Sequence, residues 1–284
     1  MIRIIDGFFE WQNCFPDGHF SLPAWQNYLD ALCPSVRTKV EQDAAGYDFE
    51  TEILPVLERL PQAKQELNQL YQSFLECTNH LEERIQQAVA AHVDAEVLLY
   101  VGLCNGAGWA VRVNNRPMVL LGMEKILELH WTDVQSMHGL IDHELGHLWH
   151  SQMRTACSAT KTPREKALWQ LYSEGVAMYF EQQLCGDEWY FHQDRNGWLS
   201  WCRRHEKRLF REYLRRVREG EPVQPFFGDW CSFEGHSDTG YYLGARLIRK
   251  ALQSVSQQEM LNSDLAGIEA FLLQCADAQD GQTM

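Results

Sequence analysis

The chain has 284 residues, 45% of them hydrophobic, and carries 25 Lys and Arg against 39 Asp and Glu, for a formal charge of -14. That length fills one large domain or two modest ones, and so acidic a chain argues against a nucleic-acid partner, whose phosphates need clustered positive charge. Nine cysteines, an odd number with no C-x-x-C pair, fit neither a closed disulfide framework nor a four-sulfur zinc site.

Asp6 and Glu10 interrupt the first apolar run before it reaches the length of a signal peptide. No stretch approaches the roughly 20 apolar residues of a membrane helix, so the expectation is a cytoplasmic protein with no membrane span. Residues 1–95 read as a helical N-terminal region. Ser21 caps "SLPAWQNYLDAL", and "QAKQELNQLYQSFLECTNHLEERIQQAVAAH" reads as one long helical run. His80 and His92 within this region are expected to be solvated or packed rather than ligands.

The texture changes near residues 93 to 96. "EVLLY" reads as a strand, and "WAVRV" and "PMVLLG" read as a hairpin about Asn114-Asn115. The glycines of "NGAG" are a loop, too irregular for a phosphate-binding fingerprint. In "WTDVQSMHGLIDHELGHLWHSQ", Thr132 or Asp133 caps a helix with apolar residues at intervals of three and four. Residues 96–153 thus form a small sheet and this helix.

After a looser stretch, "TPRE" pairs Thr162 with Glu165 in a capping box and puts Pro163 at the first helical position, with Gly186 as the stop beyond Cys185. Residues 154–284 are expected to be helical and to form one catalytic unit with 96–153. The fold class expected is α+β, mostly helical. "RRHEKRLFREYLRRVR", from Arg203 to Arg218, reads as a solvated face that balances the acidic remainder; the other reading is a docking face for acidic substrates or lipid headgroups.

"HELGH" carries chemistry. A spacing of four on a helix advances about 6 Å and turns about 40° past a full circle, so His143 and His147 point the same way and can share one zinc ion. Glu144, about 100° round, can reach a metal-activated water without coordinating, as a general base. A third ligand is needed. Zincins with all three histidines on one segment place glycine and histidine where this chain has His150 and Met153, and His150 lies about 10 Å along the axis from His143. It reads as an outer or surface residue. Glu174 is the better candidate, because Leu171, Glu174, Gly175 and Met178 form a stripe in which a carboxylate sits in an apolar seam.

"HELGHLW" followed by "EGVAMY" resembles the gluzincin metallopeptidases, most closely the M1-type aminopeptidases, and is similar to an uncharacterised bacterial family of predicted zinc-dependent proteases. The resemblance spans about residues 97 to 250. It implies a gluzincin-like core, one zinc ion held by His143, His147 and Glu174, Glu144 as base, and hydrolysis of a peptide or protein substrate. "GYYLGARLIRKAL" resembles a segment whose tyrosine stabilises the oxyanion, which places Tyr241 in that role with Tyr242 and His236 as fallback donors. "LLGMEKI" partly echoes the motif that holds a substrate's free amine, which makes Glu124 a candidate. Where thermolysin-like relatives carry an acidic residue four after the third ligand, this chain has Met178.

Two other functions compete: a zinc hydrolase of non-peptide amides, and a catalytically silent binding or regulatory protein in which zinc braces two helices. Glu144 favours an enzyme, because a structural zinc site is usually closed by four protein groups and has no use for a base.

Overall fold

The structure is a computed structural model and describes residues 1–155, 160–228 and 230–277. The strands are β1 (Ile2–Asp6), β2 (Ala95–Tyr100), β3 (Gly108–Val113) and β4 (Arg116–Gly122). Helices α1 (Leu22–Leu32), α2 (Pro34–Ala44), α3 (Leu54–Leu57), α4 (Lys64–Thr78) and α5 (Leu81–Val89) lie between β1 and β2. After the sheet come α6 (Met123–Glu128), α7 (Val134–Met153), α8 (Pro163–Cys185), α9 (Trp198–Glu219), α10 (Thr239–Ala251), α11 (Gln257–Leu261) and α12 (Leu265–Asp277). The class is α+β and mostly helical, as expected. No described helix is long and apolar enough to cross a membrane.

The chain divides into two compact units, Met1–Leu148 and Trp149–Met284. The first unit is built on one four-stranded sheet in the order β1-β2-β4-β3. β1 runs parallel to β2 and β2 parallel to β4, with Ile4 opposite Val97 and Leu98 opposite Leu120. β3 is antiparallel to β4 at the edge. Val97, Leu98, Leu99 and Val119, Leu120, Leu121 are all buried, the unbroken apolar pattern of central strands covered on both faces. Asn114 and Asn115 both take positive φ, as the two-residue hairpin turn requires.

Two expectations for the first 95 residues need correction. β1 is a strand, and its pairing with β2 joins the N-terminal residues to the sheet. The long helical run is two helices: Asn79 is extended and His80 left-handed at φ 53°. Histidine accepts the left-handed region more readily than its apolar neighbours do. Ser21 caps α1 as expected, accepting from the Ala24 amide. Trp25 donates to the Val101 carbonyl at 2.8 Å and Tyr28 to the Gly7 carbonyl at 3.0 Å, which holds α1 against the ends of β1 and β2.

Apart from a bridge between Phe233 and His236, the regular elements described in the second unit are helices. α8 has the expected limits. The Thr162 hydroxyl accepts from the Glu165 amide at 3.2 Å, the Glu165 carboxylate accepts from the Thr162 amide at 2.8 Å, and Gly186 closes the helix at φ 68°. α8 and α10 cross with their backbones touching at Gly175 and Gly244. A Cβ on Gly244 would come within 2.7 Å of the Gly175 nitrogen and of the Leu171 carbonyl oxygen, and neither backbone atom can swing aside. Tyr213 of α9 donates to the Ala167 carbonyl of α8 at 2.9 Å, and Tyr172 donates to the Met260 carbonyl at 2.6 Å.

Alanine would favour a helix by about 1 kcal/mol over glycine, yet Gly244→Ala is expected to lower unfolding stability by about 2 kcal/mol or more because it forces the two helices apart. Urea denaturation reads this; an unchanged or raised midpoint would show that the crossing tolerates a methyl group.

Candidate metal centre

The helix that carries the motif is held by the N-terminal residues. Asp133 is its cap, accepting from the Ser136 amide at 2.9 Å and the Ser136 hydroxyl at 2.7 Å. Ser73 of α4 donates to the Thr132 carbonyl at 2.8 Å, and Cys77 Sγ lies 3.5 Å from the Val134 carbonyl. Further along, Asp142 has no exposed surface and takes Arg84 of α5 at 2.6 Å, while Arg84 also donates to the Cys77 carbonyl. The apolar face of α7, with Met137, Ile141, Leu145, Leu148 and Trp149, is buried as its spacing implies.

The His143 and His147 rings lie 4.9 Å apart, edge to face, so both imidazoles project from one side of the helix. Their ligand atoms and a carboxylate oxygen of Glu174 all lie within 4.8 Å of one another. His143 is buried; His147 and Glu174 are partly exposed. Two imidazoles and a carboxylate gathered this closely could hold a metal ion, and they are donor types that zinc takes. Among the described residues, the three sequence-predicted ligands are the group that could hold a metal.

Glu144 points to the sheet edge. Its Oε2 accepts from the Ala110 amide of β3 at 2.8 Å, which leaves Oε1 to accept a proton. Gly108 makes the room: a Cβ there would come within 2.8 Å of Glu144 Cγ and 2.6 Å of Leu140 Cδ1. Neither the Ala110 amide nor the Arg84 partner is apparent from the motif alone. A glycine opening a strand is the one available signal, since it marks close approach by another group.

Of the candidate oxyanion donors, Tyr242 is fully buried and gives its hydroxyl to Glu206. His236 stacks on Trp201 with ring centroids 3.8 Å apart. Tyr241 stands in the first turn of α10, its ring edge-on to Phe227 at 5.6 Å. It precedes by about one turn Gly244, where α10 meets α8 at Gly175. His150 is buried rather than at the surface, 5.6 Å from the Trp169 ring and 5.1 Å from Tyr172.

Glu124 is fully enclosed, and its carboxylate accepts from the Gly102 amide at 2.8 Å and the Cys104 amide at 3.0 Å. It ties the turn after β2 to α6 and is not placed to meet a substrate amine. Burial pushes its carboxyl up to about 6, against the lowering pull of those amides. Among the cysteines, burial also raises the Cys14 and Cys77 thiols to about 12, so neither offers a thiolate at neutral pH.

No family model, curated protein or solved structure matches this chain.

Because folding raises the Glu124 pKa from 4.5 to about 6, the folded protein holds that proton more tightly than the unfolded chain does. Its contribution is therefore complete below about pH 4.5 and is lost as pH rises through about 6. Denaturation of wild type and Glu124→Gln side by side should show the difference in stability moving against the wild type by about 2 kcal/mol from pH 4 to 7. A difference constant across that window would place the carboxyl in a less costly environment.

Proposed function

We propose that the protein is a zinc-dependent metallopeptidase with a gluzincin-like core, acting on a peptide or protein substrate in the cytoplasm. The observation that carries this reading is the approach of the His143, His147 and Glu174 ligand atoms to within 4.8 Å of one another, with Glu144 next to the first histidine. The three residues would hold one zinc ion, whose Lewis acidity would act on the scissile carbonyl and the attacking water. Glu144 accepts the proton of that water on Oε1 and delivers it to the leaving amine, its orientation kept by the Ala110 amide on Oε2. Tyr241 donates a hydrogen bond to the oxygen on which negative charge develops.

The competing reading, zinc as a brace in a silent protein, leaves no role for a carboxylate fixed beside the ligands with one oxygen in reserve. Hydrolysis of a non-peptide amide would use the same groups, and the choice of substrate separates the two.

Purified protein should hold about one zinc ion by elemental analysis, consistent with a three-ligand site, and Glu174→Ala should lose most of it. Retention of the metal would remove Glu174 from the site. Glu144→Gln should keep its zinc and lose turnover of a peptide library; equal cleavage by variant and wild type would refute Glu144 as the base. Tyr241→Phe should lower kcat by roughly 10² with zinc unchanged, and a near-normal rate would return the phenol to a packing role.

A further inference from the structure

Helix α9 does not spread its positive charge evenly. Towards its C-terminal end two arginines are neutralised locally: Arg215 pairs with Glu212, Glu219 and Glu221, and Arg216 with Glu212. The hydrogen bonds from Arg215 and Arg216 hold the Glu212 carboxyl down at about 2. Arg208 has Glu234, and Arg246 of α10 has Glu206. Arg203, Arg204 and Arg211 are exposed, and none has a carboxylate within 4 Å among the described residues.

These three arginines line one hollow of about 1230 Å³ in the second unit. Trp189 lies at its wall with two guanidinium groups over its ring, Arg203 at 4.4 Å and Arg246 at 4.9 Å. A guanidinium stacked by its face keeps its N–H edges for acceptors in its own plane. Arg246 already has Glu206 against its charge, whereas Arg203 brings no carboxylate of its own to the ring.

We propose that this hollow binds an extended acidic segment of a polypeptide, whose carboxylates pair with Arg203, Arg204 and Arg211. Arg203 and Arg211 are eight residues apart, about 12 Å along the helix, which is the reach of about four residues of extended chain. Side chains on one edge of such a chain recur about every 6.6 Å, so two repeats span about 13 Å, close to the separation of Arg203 and Arg211. Acidic residues at alternate positions therefore match the rail. The volume and the reach are too large for a single small anion. A phosphate polymer fits less well: Glu206, Glu212 and Glu234 also line the hollow and would repel phosphates, whereas a peptide offers them backbone N–H groups. The hollow lies wholly in the second unit and uses none of the proposed metal ligands, so the inference stands apart from the peptidase reading.

The test is fluorescence anisotropy of a labelled peptide of about twelve alternating Glu and Ala residues, titrated with full-length protein at low salt and again with added salt. Arg203→Ser/Arg204→Ser/Arg211→Ser should weaken binding by about tenfold or more, and each single substitution by about threefold. The triple variant should melt within a few degrees of wild type, since the three side chains lose no carboxylate partner and only Arg203 gives up a ring contact, that with Trp189. Arg3→Ser/Arg59→Ser/Arg112→Ser, which changes net charge equally on the first unit, should stay within about twofold of wild type. Absence of binding, or equal loss in both triple variants, overturns the proposal. Tighter binding of a uridine oligonucleotide or phosphatidylserine vesicles through the same arginines also overturns it, in favour of a phosphate ligand.

Discussion

A carboxylate sealed from water must be paired, and in the first unit that requirement falls on Asp142. Leaving it unpaired would cost several kcal/mol, and the cation comes from Arg84 on α5, with the charges 2.6 Å apart. Since successive residues turn about 100° round a helix, directing Asp142 towards α5 sets the rotation of α7. Glu144, about 200° from Asp142, then meets β3, where the Ala110 amide takes it. His143 and His147 occupy the sector between these two anchors. The imidazoles are aimed by a clamp on either side of them, and that clamp draws on α5 and on the sheet edge.

Seen this way, the N-terminal residues have a structural task that their composition does not reveal. α4 supplies Ser73 and Cys77 to the first turn of α7, and α5 supplies Arg84 to its middle. The sequence region with no chemistry of its own therefore fixes the register of the one that has it. Glu124 repeats the principle on a smaller scale, since an enclosed carboxylate with two backbone donors holds a turn in place. Ser73, Glu124, Ser136 and Asp142, all buried, are each tied to such a contact.

Much of this was legible from residues alone where local chemistry decides structure. The Thr162 and Glu165 box, the Gly186 stop, the Asn114-Asn115 turn and the stripe containing Glu174 all depend on neighbours within a few positions, and each is found where it was expected. What escaped depends on partners far away in sequence. β1 is five residues long and partly exposed, so its identity rests on backbone pairing with residues more than 90 positions later. The break at Asn79 and His80 interrupts a run of good helix formers without proline or glycine. The uneven pairing of the α9 arginines likewise depends on Glu234 reaching Arg208 from outside the helix, while Glu206 of α9 is taken by Arg246 of α10, which no charge count along the helix could anticipate.

The glycine-to-glycine crossing of α8 and α10 has a mechanical consequence. Glu174 adjoins one of those glycines and Tyr241 lies a turn before the other, and backbones already in contact cannot slide closer or tilt without collision. The acidic group and the phenol are thus carried on a single stiff piece, and their separation is inherited from the main chain. The distance between the two groups can therefore change only by turning their own side chains, because the main chains beneath them have no slack to give.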